Sequence, residues 1–438
     1  MGFTGRAFLM ESDQLLIPNF KAALSVEADV NGRFLCSIQV FLGDFKVWNS
    51  GHYSKFYPSK RCVLELTEGG DLQLKGSTRS RRRIGWRSGT SGQGVEQRLQ
   101  LLSTGNLVLM DAMNRIRWQS FEFPTNVILW GQRFNYSTRL TSFPGTNSTM
   151  FYSFEIQNNK IALYLNSGRL KYSYWEFRPS HSRNIVSAQL GSTGLKLFDG
   201  NHRKIGQISS RSSAPLRFLA LRDNTGNLGL YHYSPHKSKF AASFTAINET
   251  CDLPLACGSY GICTFSNTCT CIQFSKKTYP VEPNCNVGFH SEFCGSREPV
   301  EMVEIMGVSS ILKGDPQMFN VSKEECLSLC IGDCTCVALL YSNNGIAGGD
   351  WQQCFHYGLV RGLKQIGKEG VNLGLSYFVK VPKGIGGATG KKSSVVKKWL
   401  LIMGGVVDGL VILLVLGGFG YYFFVVRKRR LRNDNTIT

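Results

Sequence analysis

Enzyme signatures are missing from this chain of 438 residues. It has no Gly-x-Ser-x-Gly elbow, no His-Glu-x-x-His pair and no kinase signature, so nothing marks a nucleophile, a catalytic zinc or a phosphoryl-transfer site. "GIGGATGKKS", starting at Gly384, is a near miss for a phosphate loop. Ile385 stands where the first Gly belongs and Lys392 where Ser or Thr belongs, so it reads as a flexible stalk. Charge is sparse as well: 18% of residues are charged, and acids are the scarcer sign, 30 against 50 Lys and Arg. With 42% hydrophobic residues and 28 Phe, the composition is globular rather than disordered. A net charge of +20 without any nucleic-acid module points to anionic partners other than nucleic acid. Cysteine is nearly absent from the first 250 residues, where only Cys36 and Cys62 occur. The other twelve lie between Cys251 and Cys354. Such a dense block is the pattern of small extracellular modules stapled by disulfides.

One run is long and apolar. Residues 399–426 carry a single charge, Asp408, and exceed the roughly 20 residues that span a bilayer. Tyr421 and Tyr422 lie near its far end, where aromatic belts occur, and "RKRRLR" follows at Arg427. Lys391, Lys392, Lys397 and Lys398 precede the run, so basic flanks alone do not set its orientation. The sequons do: Asn135, Asn147, Asn248 and Asn320 all precede it, as do the cysteines. The expectation is a single-pass plasma-membrane protein, with residues 1–398 outside and 427–438 in the cytoplasm. Gly405 and Gly409 give a GxxxG spacing that a homodimer could use, and Asp408 hints at a partner helix. The start, "MGFTGRAFLM", is too short in apolar residues for a signal peptide, and its sixth residue, Arg6, excludes myristoylation.

Residues 21–250 alternate apolar and polar positions between Gly, Asn and Ser, which is the pattern of short strands. A unit recurs: "GGDLQL" at Gly69, "TGNLVL" at Thr104, "SGRLKY" at Ser167 and "TGNLGLY" at Thr225, with a shorter variant at Thr193. Each has a Gly turn followed by Leu-x-Leu or a close variant, a repeated hairpin that implies a closed or prism-like all-β arrangement. "LLSTGNLVLMD" followed by "WQSFEFPTNVILWGQ" resembles the bulb-type lectin domain of plant S-domain receptor-like kinases. "LALRDNTGNLGLYHY", from Leu219, resembles their second lectin-like region. The resemblance covers residues 21–382 and stops before any kinase. It implies a mainly β protein. The expected order is an N-terminal segment (1–20), tandem bulb-type lectin-like β-prism domains (21–135 and 136–248), a disulfide-rich EGF-like module (249–286) and an α+β PAN/apple domain (287–382). A juxtamembrane stalk (383–398), one transmembrane helix (399–426) and a basic tail (427–438) complete it.

The cysteines of the two small modules invite a choice between metal and disulfide. A zinc site wants Cys-x2-Cys pairs or His, and "CTC" leaves one residue between thiols. In "SKEECLSLC", Ser322 is placed to cap a helix with Glu325 as its box partner, which puts Cys326 and Cys330 on one face. Cys334 and Cys336, two apart in "CTCVALLY", would share a face of a strand. The EGF-like resemblance implies Cys251–Cys263, Cys257–Cys269 and Cys271–Cys285. The PAN resemblance implies Cys326–Cys354 and Cys330–Cys336. Cys294 and Cys334 are left over and could pair, and Cys36–Cys62 would make a seventh bond.

Bulb-type lectins bind mannose through Gln-x-Asp-x-Asn-x-Val-x-Tyr. Of that motif, the copy Leu102-x-Thr104-x-Asn106-x-Val108-x-Met110 keeps Asn106 and Val108. Thr67-x-Gly69-x-Asp71-x-Gln73-x-Lys75 keeps less. Asp223-x-Thr225-x-Asn227-x-Gly229-x-Tyr231 keeps Asn227 and Tyr231. Residual sugar contact would therefore rest on Asn106, Asp223, Asn227 and Tyr231, although hairpin building alone accounts for the same residues. The basic run from Arg79 to Arg83 is a candidate for acidic wall polysaccharide, or simply a solvated loop. The functional expectation is a non-catalytic receptor-like surface protein without cofactors. It would bind an extracellular glycan or protein ligand and signal through an associated receptor kinase. The alternative is a cell-wall tether for acidic polysaccharide.

Overall fold

A computed structural model describes residues 4–12, 18–29, 31–78, 81–93, 97–143, 149–180, 183–274, 285, 293–295, 298–314, 318–343, 352–367, 374–384 and 414–428. Asn147, Arg79, Gly405, Asp408, Gly409 and most of the stalk and tail lie outside these residues. The chain divides into two compact units. The larger gathers 1–272, 279–297 and 302–380; the smaller gathers 273–278, 298–301 and 381–438.

The first ten strands form three antiparallel sheets. β1 (Thr4–Glu11), β2 (Phe20–Ala28), β3 (Phe34–Leu42) and β4 (Phe45–Asn49) make the first. β5 (Cys62–Leu66), β6 (Leu72–Thr78) and β7 (Arg81–Arg87) make the second. β8 (Gln97–Leu101), β9 (Leu107–Asp111) and β10 (Ile116–Gln119) make the third. Residues 4–11, read from the sequence as part of a separate N-terminal segment, pair along β2. The repeated Gly units are the turns into β6 and β9. Gly70 and Gly105 sit at φ 80° and 85°, a region that side chains disfavour. A Cβ at Gly105 would also lie 2.4 Å from the Phe20 ring, so no larger residue fits.

A second set of three four-stranded antiparallel sheets follows. Each takes one short strand from the run 127–142. Val127–Leu129 pairs with Leu216–Leu221, Arg133–Asn135 with Ser187–Leu190, and Arg139–Ser142 with Met150–Ile156. One connecting segment thus stitches all three sheets, and by pairing this set begins at Val127 rather than at residue 136. The two sets share a core: Val127, Leu129, Phe218 and Ala220 pack with Phe20, Ile38, Val40 and Leu107. Phe45 stacks on Phe218 at 4.5 Å.

The cysteine-dense region is built differently. All fourteen cysteines are bonded: Cys36–Cys62, Cys251–Cys263, Cys257–Cys269, Cys271–Cys285, Cys294–Cys334, Cys326–Cys354 and Cys330–Cys336. The helix Lys323–Gly332 starts where Ser322 Oγ accepts from Glu325 N at 3.1 Å. Its buried Cys326 and Cys330 face a sheet containing Ala338–Ser342, Gln353–Tyr357 and Leu375–Pro382. Cys334 and Cys336 are not on a strand. Asp333 Oδ1 accepts from Thr335 N at 2.9 Å, a local turn that competes with extended backbone. The two thiols therefore diverge, an exposed Cys334 to Cys294 and a buried Cys336 to Cys330. The two small modules also share a sheet, because Gly261–Cys263 runs parallel to Leu363–Gln365.

Among the described residues no helix is long and apolar enough to cross a membrane. Residues 414–428 are helical, with Leu414, Phe419, Tyr421 and Phe424 exposed, and 399–413 lie outside the described residues.

Candidate functional site

The hairpin units come first, because the sequence places a sugar motif on them. Asn106, 5% exposed, follows the turn at Gly105 and enters β9. Its Nδ2 donates to Gln119 Oε1 at 2.8 Å, and its Oδ1 accepts from Ser120 Oγ and Phe121 N, each at 3.2 Å. Asp71, 1% exposed, plays the same part beside β6: its Oδ1 accepts from Ser88 Oγ and Gly89 N, each at 2.8 Å, and from Thr90 N at 3.2 Å. Those bonds to the ionised form hold its carboxyl below the usual range, against the opposing effect of burial. Asn227 donates to Ile247 O at 2.7 Å and accepts from Ile247 N at 3.1 Å. All three side chains tie a turn to the end of a following strand, and Val108 is fully buried. Tyr231 stacks on Phe218 at 4.9 Å, and burial pushes its hydroxyl pKa up. Asn106, Asn227 and Tyr231 thus serve packing and do not converge on one hexose.

A second half of the repeat is legible only once the strands are placed. Trp48-Asn49-Ser50, Trp86-Arg87-Ser88 and Trp118-Gln119-Ser120 close the last strand of each of the first three sheets. In each, the Ser hydroxyl accepts a backbone N–H: Ile38 N at 3.0 Å, Leu72 N at 3.0 Å and Leu107 N at 2.9 Å. The three Trp rings meet edge to face, with centroids 5.4, 5.7 and 6.2 Å apart. A thrice-repeated Trp-x-Ser was the signal available in the sequence for this centre.

Two clefts open beside Trp48. One, about 490 Å³, is lined by the three Trp rings, Tyr53, Phe123, Arg87, Glu122 and Arg139. Trp48 Nε1 donates to Phe123 O at 2.9 Å, and Tyr53 Oη donates to Pro124 O at 3.0 Å, which braces the wall. The other, about 390 Å³, shares Trp48, Asn49 and Thr125 with it and adds Lys46, His52, Lys55, Asn126, Phe143 and Asp223. Of the residues in the sequence motif, Asp223 lines this second cleft. Its Oδ1 accepts from Ser142 Oγ at 2.6 Å and from Asn126 Nδ2 at 3.2 Å. His52 Nε2 lies 2.8 Å from Thr141 Oγ1 and 2.9 Å from Thr141 O. Burial lowers its pKa to about 4, while the Asp223 charge opposes that shift, so the ring is neutral at mildly acidic and neutral pH. A carboxylate, amides, ammonium groups and aromatic faces in adjoining clefts are what sugar hydroxyls and C–H faces require.

His356 offers a nitrogen within 4.8 Å of the Cys326 and Cys354 sulfurs, but those sulfurs are bonded to each other. Asn135, Asn248 and Asn320 are exposed, as sequon acceptors must be.

Residues 47–149 match the D-mannose binding lectin family. A G-type lectin S-receptor-like serine/threonine-protein kinase of Arabidopsis thaliana is 24% identical over 357 residues, covering 78% of this chain and 41% of that one. A PAN domain-containing protein of the same plant is 27% identical over 275 residues, covering 60% of this chain and 54% of its own. The chain thus spans about half the length of these curated relatives or less. A two-domain fetuin-binding lectin of Scilla campanulata matches 56% of this chain and 99% of its own at 16% identity, with a TM-score of 0.20 that carries no argument. Residues 47–149 are a G-type lectin domain, in a chain related along most of its length to plant S-domain receptor-like proteins.

Proposed function

We propose that this protein is a non-catalytic, receptor-like surface protein that binds an extracellular ligand through the adjoining clefts at Trp48. The ligand is a glycan or a glycan-bearing partner ectodomain. The observation that carries this reading is the convergence of Asp223, Asn126, Asn49 and Lys55 beside the Trp48 and Phe143 rings, while the motif amides are occupied internally. Residues 399–426 serve as the membrane anchor, with the sequons and disulfides outside. The tail, 427–438, docks or anchors, and signalling passes through an associated receptor kinase. A glycan array and an ectodomain-interaction screen of the full chain test the proposal. Asp223→Ala, with an unchanged melting profile, should lose about tenfold or more in affinity for whatever the wild type retains, since it removes a charged acceptor. Retention unchanged by Asp223→Ala would overturn the assignment of the clefts.

A further inference from the structure

The basic run at Arg81 is joined in space by cations that the sequence places twenty residues away. The segment before β5 runs beside the end of β6: Ser59 N donates to Ser77 O at 2.6 Å. Across the sheet, Cys62 faces Gly76, which faces Arg83, and Ser77 and Thr78 face Arg82 and Arg81. The register therefore brings Lys60 and Arg61 to the same end of the sheet as Arg81, Arg82 and Arg83, with β6 between them. All five are exposed. None forms an ion pair among the described residues, whereas Lys75, further along β6, is paired with Glu65 at 2.7 Å. Lone exposed cations are ordinary; five without an ion pair among the described residues, three on β7 and two on the segment entering β5, repel one another.

We propose that this end of the β5–β6–β7 sheet binds an acidic polysaccharide, a linear polymer with a carboxylate on each sugar. Charge complementarity selects an anion. The layout selects a polymer over a single ion. The cations lie on one outer strand, β7, and on the segment that enters the other, β5, two strand spacings or about 10 Å apart, along a sheet rather than around a cavity with buried donors. Along the same sheet, Val63 is 46% exposed and Ile84 50% exposed, giving apolar ground for the C–H faces of sugar rings. Arg83 is separated from Arg87, at the rim of the Trp cleft, by about 13 Å of strand, so this face and that cleft can be tested apart.

The test is retention of the full chain on immobilised polygalacturonate, with free oligogalacturonate, neutral mannan, poly-glutamate and anionic phospholipid vesicles as competitors. Raising salt from about 0.05 to about 0.3 M should weaken retention about tenfold or more, because exposed charges are screened over such distances. The triple variant Arg81→Ser, Arg82→Ser, Arg83→Ser should lose about tenfold at low salt, and Lys60→Ser with Arg61→Ser about threefold, both keeping the wild-type melting profile. Asp223→Ala should bind polygalacturonate as the wild type does, which separates this face from the cleft reading. Unchanged retention of the triple variant, or stronger competition by poly-glutamate or by vesicles than by free oligogalacturonate, would overturn the proposal.

Discussion

The first three sheets and the cysteine-dense region 251–357 hold themselves together by different means. The sheets carry one disulfide, Cys36–Cys62, and a core that continues into the second set of sheets. Their internal repeat spends a Trp, a Ser and, in two of three sheets, a buried Asp or Asn on closing each hairpin. The cysteine-dense region carries six disulfides, and around its helix the core includes Cys326, Cys330, Cys336 and Cys354 alongside four apolar or aromatic side chains. Where enough apolar area can be buried, packing stabilises; where it cannot, restricting the unfolded chain substitutes for it. The Trp-centred core of the sheets also leaves two clefts at its rim, beside Trp48.

Removing the largest packed ring should break the first half of this comparison most. Trp118→Ala is expected to cost about 3–5 kcal/mol, through lost burial and the cavity left between Trp48 and Trp86. Hydrogen exchange should show β4, β7 and β10 losing protection while the helix Lys323–Gly332 keeps it. Replacing Cys326 and Cys354 with Ser should do the reverse. The bond closes a loop of 28 residues, so its loss should cost about 3–4 kcal/mol. Protection should then fall in the helix and in Gln353–Tyr357 and stay in the first sheets.

Acid should act on the sheets through His52. Its folded pKa, about 4, lies below the unfolded value of 6.5, so the unfolded chain takes up the proton first. The contribution is complete above pH ~6.5 and is lost as pH falls toward about 4, amounting to about 3 kcal/mol. Melting curves across that window should flatten in His52→Gln. The smallest of these effects tests the hairpin ties. Asn106→Ala leaves Phe121 N without its acceptor and should cost about 2 kcal/mol, with protection lost in β9 and β10 alone.

Much of the architecture was legible because period and spacing carry it. Leu-x-Leu after Gly105 reads as a strand, and Ser322 with Glu325 reads as a helix start, since those patterns depend on local geometry alone. Three things were not. The turn at Asp333 overrides the strand reading of Cys334 and Cys336, because a side-chain hydrogen bond outweighs alternation there. Burial is invisible in a motif, so Asn106 looked like a surviving sugar contact when its amide is wholly engaged by Gln119, Ser120 and Phe121. The cleft that gathers His52, Asn126 and Asp223 draws on positions more than 170 residues apart, a distance that no local pattern spans.

The central claim is that the hairpin motif has become structural and that recognition has moved to the clefts beside Trp48. Calorimetric titration of the full chain with mannose oligomers tests it most directly. The account predicts no binding tighter than about 1 mM, because Leu102, Thr104 and Met110 supply none of the hydrogen bonds the motif requires. Binding at about 1 mM or tighter that survives Asp223→Ala would contradict it.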